Sequence, residues 1–169
     1  MVTGIKPNRA HYALAKLERA LRLTAVVTQN IDGLHQLAGS RNVYELHGSI
    51  YRNHCMECGK SYTVEQLKDM PNVPICSCGG VIKPDVVLYE EGLDADTLRA
   101  AITHITRADM LIVGGTSLNV YPASGLIDYY KGNKLALINK SETPYDYRAD
   151  LIINDSIGMA LDKATEGLE

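Results

Sequence analysis

Apolar and polar positions along this chain change period from block to block, and each period predicts an element. From Pro7 to Leu23, Ala10, Ala13, Leu14, Leu17 and Leu21 recur at three- and four-residue spacing, with Lys16, Glu18, Arg19 and Arg22 facing elsewhere. That spacing predicts an amphipathic opening helix. Thr24 to Thr28 reads as a short buried strand, Ile31 to Leu37 as a helix start, and Val43 to Leu46 as another strand ending at His47-Gly48. A stretch rich in Gly, Pro and polar residues follows and predicts a loop-dominated knuckle, with strand character returning over Val86 to Tyr89. Asp94 to Arg107 predicts a helix capped by Asp94, with Leu98, Ala101, Ile102 and Ile105 on one face. Met110 to Val113 predicts a strand running into Gly114-Gly115-Thr116-Ser117, and Pro122 to Lys131 a helix with its proline in the first turn. Two further apolar strands are expected at Leu135 to Ile138 and Leu151 to Ile153, and a closing helix at Ser156 to Ala164. Strands that are apolar throughout, alternating with helices, predict an α/β protein whose parallel sheet is covered on both faces.

Composition narrows this picture. A length of 169 residues suits one domain with a small insert near residues 50–81. Hydrophobic residues at 46% and charged residues at 22% are ordinary for a folded globule and argue against disorder. Seventeen basic against twenty acidic side chains leave −3, mixed along the chain, so there is no electrostatic footprint for nucleic acid. The longest apolar runs are too short to span a bilayer, and no leader-like segment opens the chain, so a cytoplasmic protein without a membrane partner is expected. Phe and Trp are absent, which leaves aromatic packing to ten tyrosines.

All four cysteines fall within 24 residues as Cys55-x2-Cys58, then 17 residues, then Cys76-x-Cys78. Two close pairs can converge on one Zn²⁺ through four thiolates at roughly 2.3 Å, which closes the site and makes the metal structural. A small insert with little apolar material needs such a staple. Free thiols or a redox pair are the alternative, and His54 stands beside Cys55 as a spare ligand.

Three polar clusters fall at predicted strand ends, where ligands of open α/β sheets collect. Gln29, Asn30, Ile31 and Asp32 follow the first strand, Glu45-Leu46-His47-Gly48-Ser49 the second, and Gly115, Thr116 and Ser117 the strand at Met110 to Val113. The last could hold phosphate on backbone N–H groups near a helix start, or be a plain turn. Gln29, Asn30 and Asp32 could bind a ligand or simply cap the next helix, and His47 could be a base or a hydrogen-bonded turn residue.

In order, Thr28-Gln29-Asn30-Ile31-Asp32-Gly33-Leu34-His35, Leu46-His47-Gly48, the four cysteines, Lys83-Pro84-Asp85-Val86-Val87 and Gly115-Thr116-Ser117-Leu118 strongly resemble the sirtuins, the NAD-dependent protein lysine deacylases. The resemblance runs from about Lys6 to the C-terminus. It implies a Rossmann-like domain over 1–48 and 82–169, a zinc-binding small domain over 49–81, and a cleft where NAD and an acyl-lysine peptide meet. By resemblance His47 is the general base, with Asn30 and Asp32 also in the catalytic set. Gln29, Asn30, Ile31, Asp32, Gly115, Thr116, Ser117, Asn139 and Ile157 match cofactor-binding positions. Val86 matches the acyl-lysine channel, and Leu88, Tyr89, Glu90, Asn119 and Val120 match substrate-binding segments expected as short strands beside the peptide. Cys55, Cys58, Cys76 and Cys78 match the zinc ligands.

The sequence also departs from the family pattern. Sirtuins open with a strand leading to a Gly-Ala-Gly-x-Ser loop, absent here, and that strand would lie between those at 24–28 and 109–113. The expectation is an incomplete sheet with two open edges, weak NAD binding and weak turnover. The alternatives are a zinc-stabilised peptide-binding remnant and an ADP-ribosyl-transferring variant. Tyr89-Glu90-Glu91 stands where many members have Phe-Gly-Glu.

Overall fold

The computed structural model describes residues 4–168; Met1, Val2 and Thr3, at the start of the expected 1–48 portion, and Glu169 lie outside the described residues. Helix α1 (Arg9–Arg19) starts where Asn8 closes a capping box: its side chain accepts the Ala10 and His11 N–H groups, and the His11 ring takes the Asn8 N–H. The helix ends earlier than its periodicity predicts, because Leu21 turns into the left-handed region at φ 55°. Strand β1 (Val26–Thr28), helix α2 (Leu34–Leu37) and strand β2 (Val43–Glu45) follow, with β1 and β2 parallel and Thr28 opposite Glu45.

The expected loop-dominated knuckle is instead a three-stranded antiparallel sheet. Its strands are β3 (Gly48–Cys55), β4 (Ser61–Thr63) and β5 (Ile82–Val86), in the order β4-β3-β5, with the single-turn helix α3 (Val64–Leu67) after β4. Strand character expected at Val86 to Tyr89 therefore lies upstream, on residues that pair with β3. The Pro84 position lacks an N–H, which suits an outer strand. This sheet reaches both sides of the expected 49–81 boundaries.

Helix α4 (Ala95–Arg107) carries the predicted cap, Asp94 accepting the Thr97 N–H at 2.8 Å. Strands β6 (Leu111–Gly114), β7 (Leu135–Ile138) and β8 (Leu151–Ile153) form a parallel sheet in that order, and helix α5 (Ile157–Ala164) closes the chain. The helix expected at Pro122 to Lys131 is a 3-10 run over Ala123–Tyr129, in a segment where Ser124 and Gly125 lower helix propensity.

Two cores hold the parallel strands. On one face Ala101 and Ile105 of α4 pack with Leu46, Leu118, Leu135 and Leu137, and Val27 and Val113 join them. On the other, Ala10 and Ala13 of α1 meet Ile138 and Leu161. The strands β1-β2 and β6-β7-β8 thus share a covering helix yet are separate hydrogen-bonded ribbons. Among the described residues, the second edges of β1 and β6 pair with no strand. No helix of the described residues is long and apolar enough to cross a membrane.

Candidate functional site

The first polar cluster sits at the C-terminal end of β1. Thr28 Oγ1 accepts the Asn30 N–H at 3.1 Å, and Asp32 Oδ1 accepts the Leu34 N–H at 3.0 Å. Asp32 thus closes an Asx turn just ahead of α2, whose N-cap is Gly33 and which carries no side-chain cap. Ile31 is tied to the antiparallel sheet through its carbonyl, which accepts the Ile50 N–H at 3.1 Å.

His47 lies at the end of β2, one residue past Leu46, whose N–H donates to the Thr28 carbonyl at 2.9 Å. Its Nδ1 stands 3.1 Å from the Gln29 carbonyl oxygen. A carbonyl can only accept, so Nδ1 is the donor in this contact, and in the neutral imidazole the lone pair is then on Nε2. The next residue, Gly48, has φ +76°, and a Cβ there would lie 1.8 Å from the Asp85 carbonyl. Only glycine fits this close crossing of β3 and β5. The Val87 N–H donates to the His47 carbonyl at 3.1 Å, which ties the crossing from the other side.

The third cluster follows β6. A Cβ at Gly114 would meet Ile157 Cδ1 at 2.4 Å, so the strand end packs directly on the first turn of α5. Gly115 takes φ +65° and donates its N–H to Ile138, and Thr116 Oγ1 accepts the Leu118 N–H at 3.2 Å. No helix starts at this loop: the next element is the 3-10 run seven residues after Thr116. A phosphate seat at a helix N-terminus here is thus replaced by an exposed turn. Asn139 follows β7, its Nδ2 donating to the Ser141 carbonyl at 3.0 Å. Gly115, Asn139 and Ile157 stand together at the C-terminal edge of β6 and β7, while Gln29, Asn30 and His47 gather at that of β1 and β2.

Val86 ends β5 opposite Gly48, next to the His47 turn. Leu88, Tyr89 and Glu90 lie beyond it in an exposed loop closed by Glu91, which accepts from Lys83 Nζ at 2.8 Å and from the Leu88 N–H at 2.8 Å. Glu90 takes φ +70°, a conformation that favours glycine. Asn119 and Val120 are also exposed, after Leu118. Leu88 to Glu91 and Asn119 to Tyr121 are irregular, and among the described residues neither has a strand beside it to supply ladder hydrogen bonds.

The sulfurs of Cys55, Cys58, Cys76 and Cys78 all lie within 4.8 Å of one another. Cys55 and Cys78 sulfurs are 3.5 Å apart, and Cys58 and Cys76 sulfurs 3.6 Å. A tetrahedron of thiolates around Zn²⁺ has edges of about 3.8 Å, whereas a disulfide would need about 2 Å. The backbone N–H of Cys78 and the Tyr62 hydroxyl, 3.0 Å from the sulfur, hold the Cys76 thiol down to about 5, which favours the thiolate a metal requires. The donor set fits one zinc ion, and His54 stands outside it.

Sequence reasoning missed two features. His11 and His35 rings pack at 4.6 Å with the His35 Nδ1 buried and unpartnered among the described residues, and Arg52 joins Glu45 and Asp85. Neither follows a local spacing, so no signal along the chain marks them.

Fold and site together define an α/β protein with polar strand-end loops and a separate four-thiol centre on an antiparallel sheet. Comparison gives the particular family. The Sir2 family model matches residues 1–122. An NAD-dependent protein deacetylase of Clostridium acetobutylicum is 65% identical over 159 residues, covering 93% of this chain and 65% of that protein. One from Staphylococcus aureus is 50% identical, covering 90% of this chain and 63% of that protein. A solved Sir2–p53 peptide–NAD+ complex superposes with a TM-score of 0.88 at 44% identity, covering 95% of this chain and 70% of that chain. A Sir2 bound to acetylated peptide superposes with a TM-score of 0.89, also at 44% identity and with the same two coverages. The chain belongs to the Sir2 family, and it spans about two thirds of the length of the curated relatives it matches.

Proposed function

We propose that this chain serves NAD-dependent removal of acyl groups from protein lysine, with His47 as general base. The observation that carries the reading is the Nδ1–H of His47 on the Gln29 carbonyl, which leaves Nε2 free to take a proton. The relatives named deacetylase and the solved neighbours bound to NAD+ and acetylated peptide support it.

The strand-end groups suit a dinucleotide. Asn30 and Ser117 are exposed, Gly115 offers an open backbone turn, and Asn139 and Ile157 adjoin it. In this reading Gln29, Asn30, Ile31 and Asp32 hold the nicotinamide end, and Gly115, Thr116, Ser117, Asn139 and Ile157 hold the remainder. NAD, when bound, would supply an anomeric ribose carbon as electrophile for the acyl oxygen, with nicotinamide as the leaving group. His47 Nε2 then accepts a ribose hydroxyl proton, while Nδ1–H keeps the ring aimed through Gln29. Val86 lines the acyl-lysine channel, and Leu88, Tyr89, Glu90, Asn119 and Val120 flank the peptide. Cys55, Cys58, Cys76 and Cys78 would hold one Zn²⁺, which supplies a closed structural tie and leaves the chemistry to the strand ends.

A second reading, a zinc-stabilised peptide-binding module without turnover, is favoured by the second edge of β1 beside Gln29–Asp32, which is unpaired among the described residues. One assay separates the two: nicotinamide release from an acetyl-lysine peptide, with NAD and the zinc-loaded chain. Deacylation predicts release that falls about 10²–10⁴-fold in His47→Ala. A folded chain that binds the peptide yet releases no nicotinamide would sink the first reading and leave the second.

A further inference from the structure

We propose that Arg52 is a positioning residue: it clamps the end of β2 to the antiparallel sheet and so keeps His47 aimed at Gln29. The Glu45 side chain is only 6% exposed, and its Oε2 accepts from Arg52 NH1 at 2.7 Å. The Nε of the same guanidinium donates to Asp85 Oδ2 on β5 at 3.0 Å. Among the described residues, this is the ion-pair network that joins the parallel ribbons to the antiparallel sheet. A local irregularity makes the reach possible. The β3–β5 register shifts between Ser49 and Asn53, which leaves Arg52 outside that ladder and re-aims it.

The position of Glu45 gives the clamp its meaning. Glu45 pairs with Thr28, the residue before Gln29, and stands two residues before His47. The carbonyl that orients the imidazole and the backbone that carries it therefore both hang from the Thr28–Glu45 pair. On the β5 side there is no slack, since Gly48 already touches the Asp85 backbone and His47 is tied to Val87. On the β2 side the restraint is the buried carboxylate. Without the Arg52 bridge the end of β2 is no longer held to the antiparallel sheet, so the Thr28–Glu45 pair loosens and His47 is released from Gln29. The catalytic consequence rests on His47 being the general base; the conformational claim does not.

The test reads the ring itself. In the full, zinc-loaded chain labelled with ¹⁵N-histidine, long-range ¹H–¹⁵N spectra report which His47 nitrogen carries the proton, with His47→Ala assigning the signals. Wild type is expected to show the Nδ1–H form. Arg52→Met should lose about a five-fold preference for it, the ratio that one ordinary hydrogen bond sustains. Arg52→Lys, which still donates to Glu45, should retain most of it. Glu45→Gln/Arg52→Met leaves no orphan charge and should also lose the preference while folded. An unchanged His47 pattern in Arg52→Met overturns the clamp, as does a wild type with no Nδ1–H preference. Loss in the single variant with a normal double variant also overturns it, by tracing the effect to the orphan charge. Nicotinamide release is scored separately: an inactive wild type whose His47 responds to Arg52→Met as expected refutes the deacylase reading and leaves the clamp standing.

Discussion

The buried histidine pair shows how much a single residue's surroundings decide. Burial holds His35 down to about 4; the neighbouring His11 ring adds to the effect, and Asp32 opposes it. His11 is lowered too, by burial against the pull of Asp32. In the unfolded chain His35 takes up a proton near its ordinary 6.5, and in the folded chain only near 4. Its contribution to stability is therefore whole above pH 6.5 and is lost as the pH falls toward 4. Melting temperature should drop between about pH 7 and about pH 5, and drop less in His35→Gln; equal slopes would show that the pair does not govern acid stability. His47 and the Gln29–Asp32 run were legible in the sequence because they are contiguous and sit at strand ends. Arg52 and the His11–His35 contact were not, because their partners come from distant strands and helices.

At the scale of elements, α4 matters most, since its buried face packs against residues of both parallel ribbons. Asp94 starts it by accepting the Thr97 N–H, and the same bond lowers the Asp94 carboxyl below its usual range. Asp94→Ala should lower the urea midpoint with an unchanged slope. A changed slope would mean that α4 unfolds separately. The helices α1, α4 and α5 were visible from periodicity, and α4 also from its Asp94 cap; both signals are local. The antiparallel sheet was not. Its strands carry polar residues and a proline, and they pair because the β3 ladder and the cysteine centre bring them together.

Across the whole molecule, the antiparallel sheet depends on its metal centre more than the parallel strands do. Its buried core is Cys55, Tyr62, Cys76 and Ile82, so half of that core is also the ligand set. Removing zinc with a chelator should release one ion per chain and strip hydrogen-exchange protection from Ser61–Thr63 and Ile82–Val86, while Leu135–Ile138 keeps its own. Protection that stays equal in both regions would show that the sheet stands without the metal. The parallel strands rest on a different arrangement: two ribbons held beneath α4, whose edges at β1 and β6 are open among the described residues.

By itself the sequence determined the α/β class, the helices α1, α4 and α5 with the Asp94 cap, the four-cysteine centre and the strand-end clusters. These follow from side-chain period, capping chemistry and ligand spacing, all of which act over a few residues. Only the tertiary structure decided that the knuckle is a sheet, that the parallel strands form two ribbons, and that Arg52 links them to the antiparallel sheet. Strand pairing and buried ion pairs depend on which segments meet in space. That is set by the packing of the whole chain, and no local pattern records it.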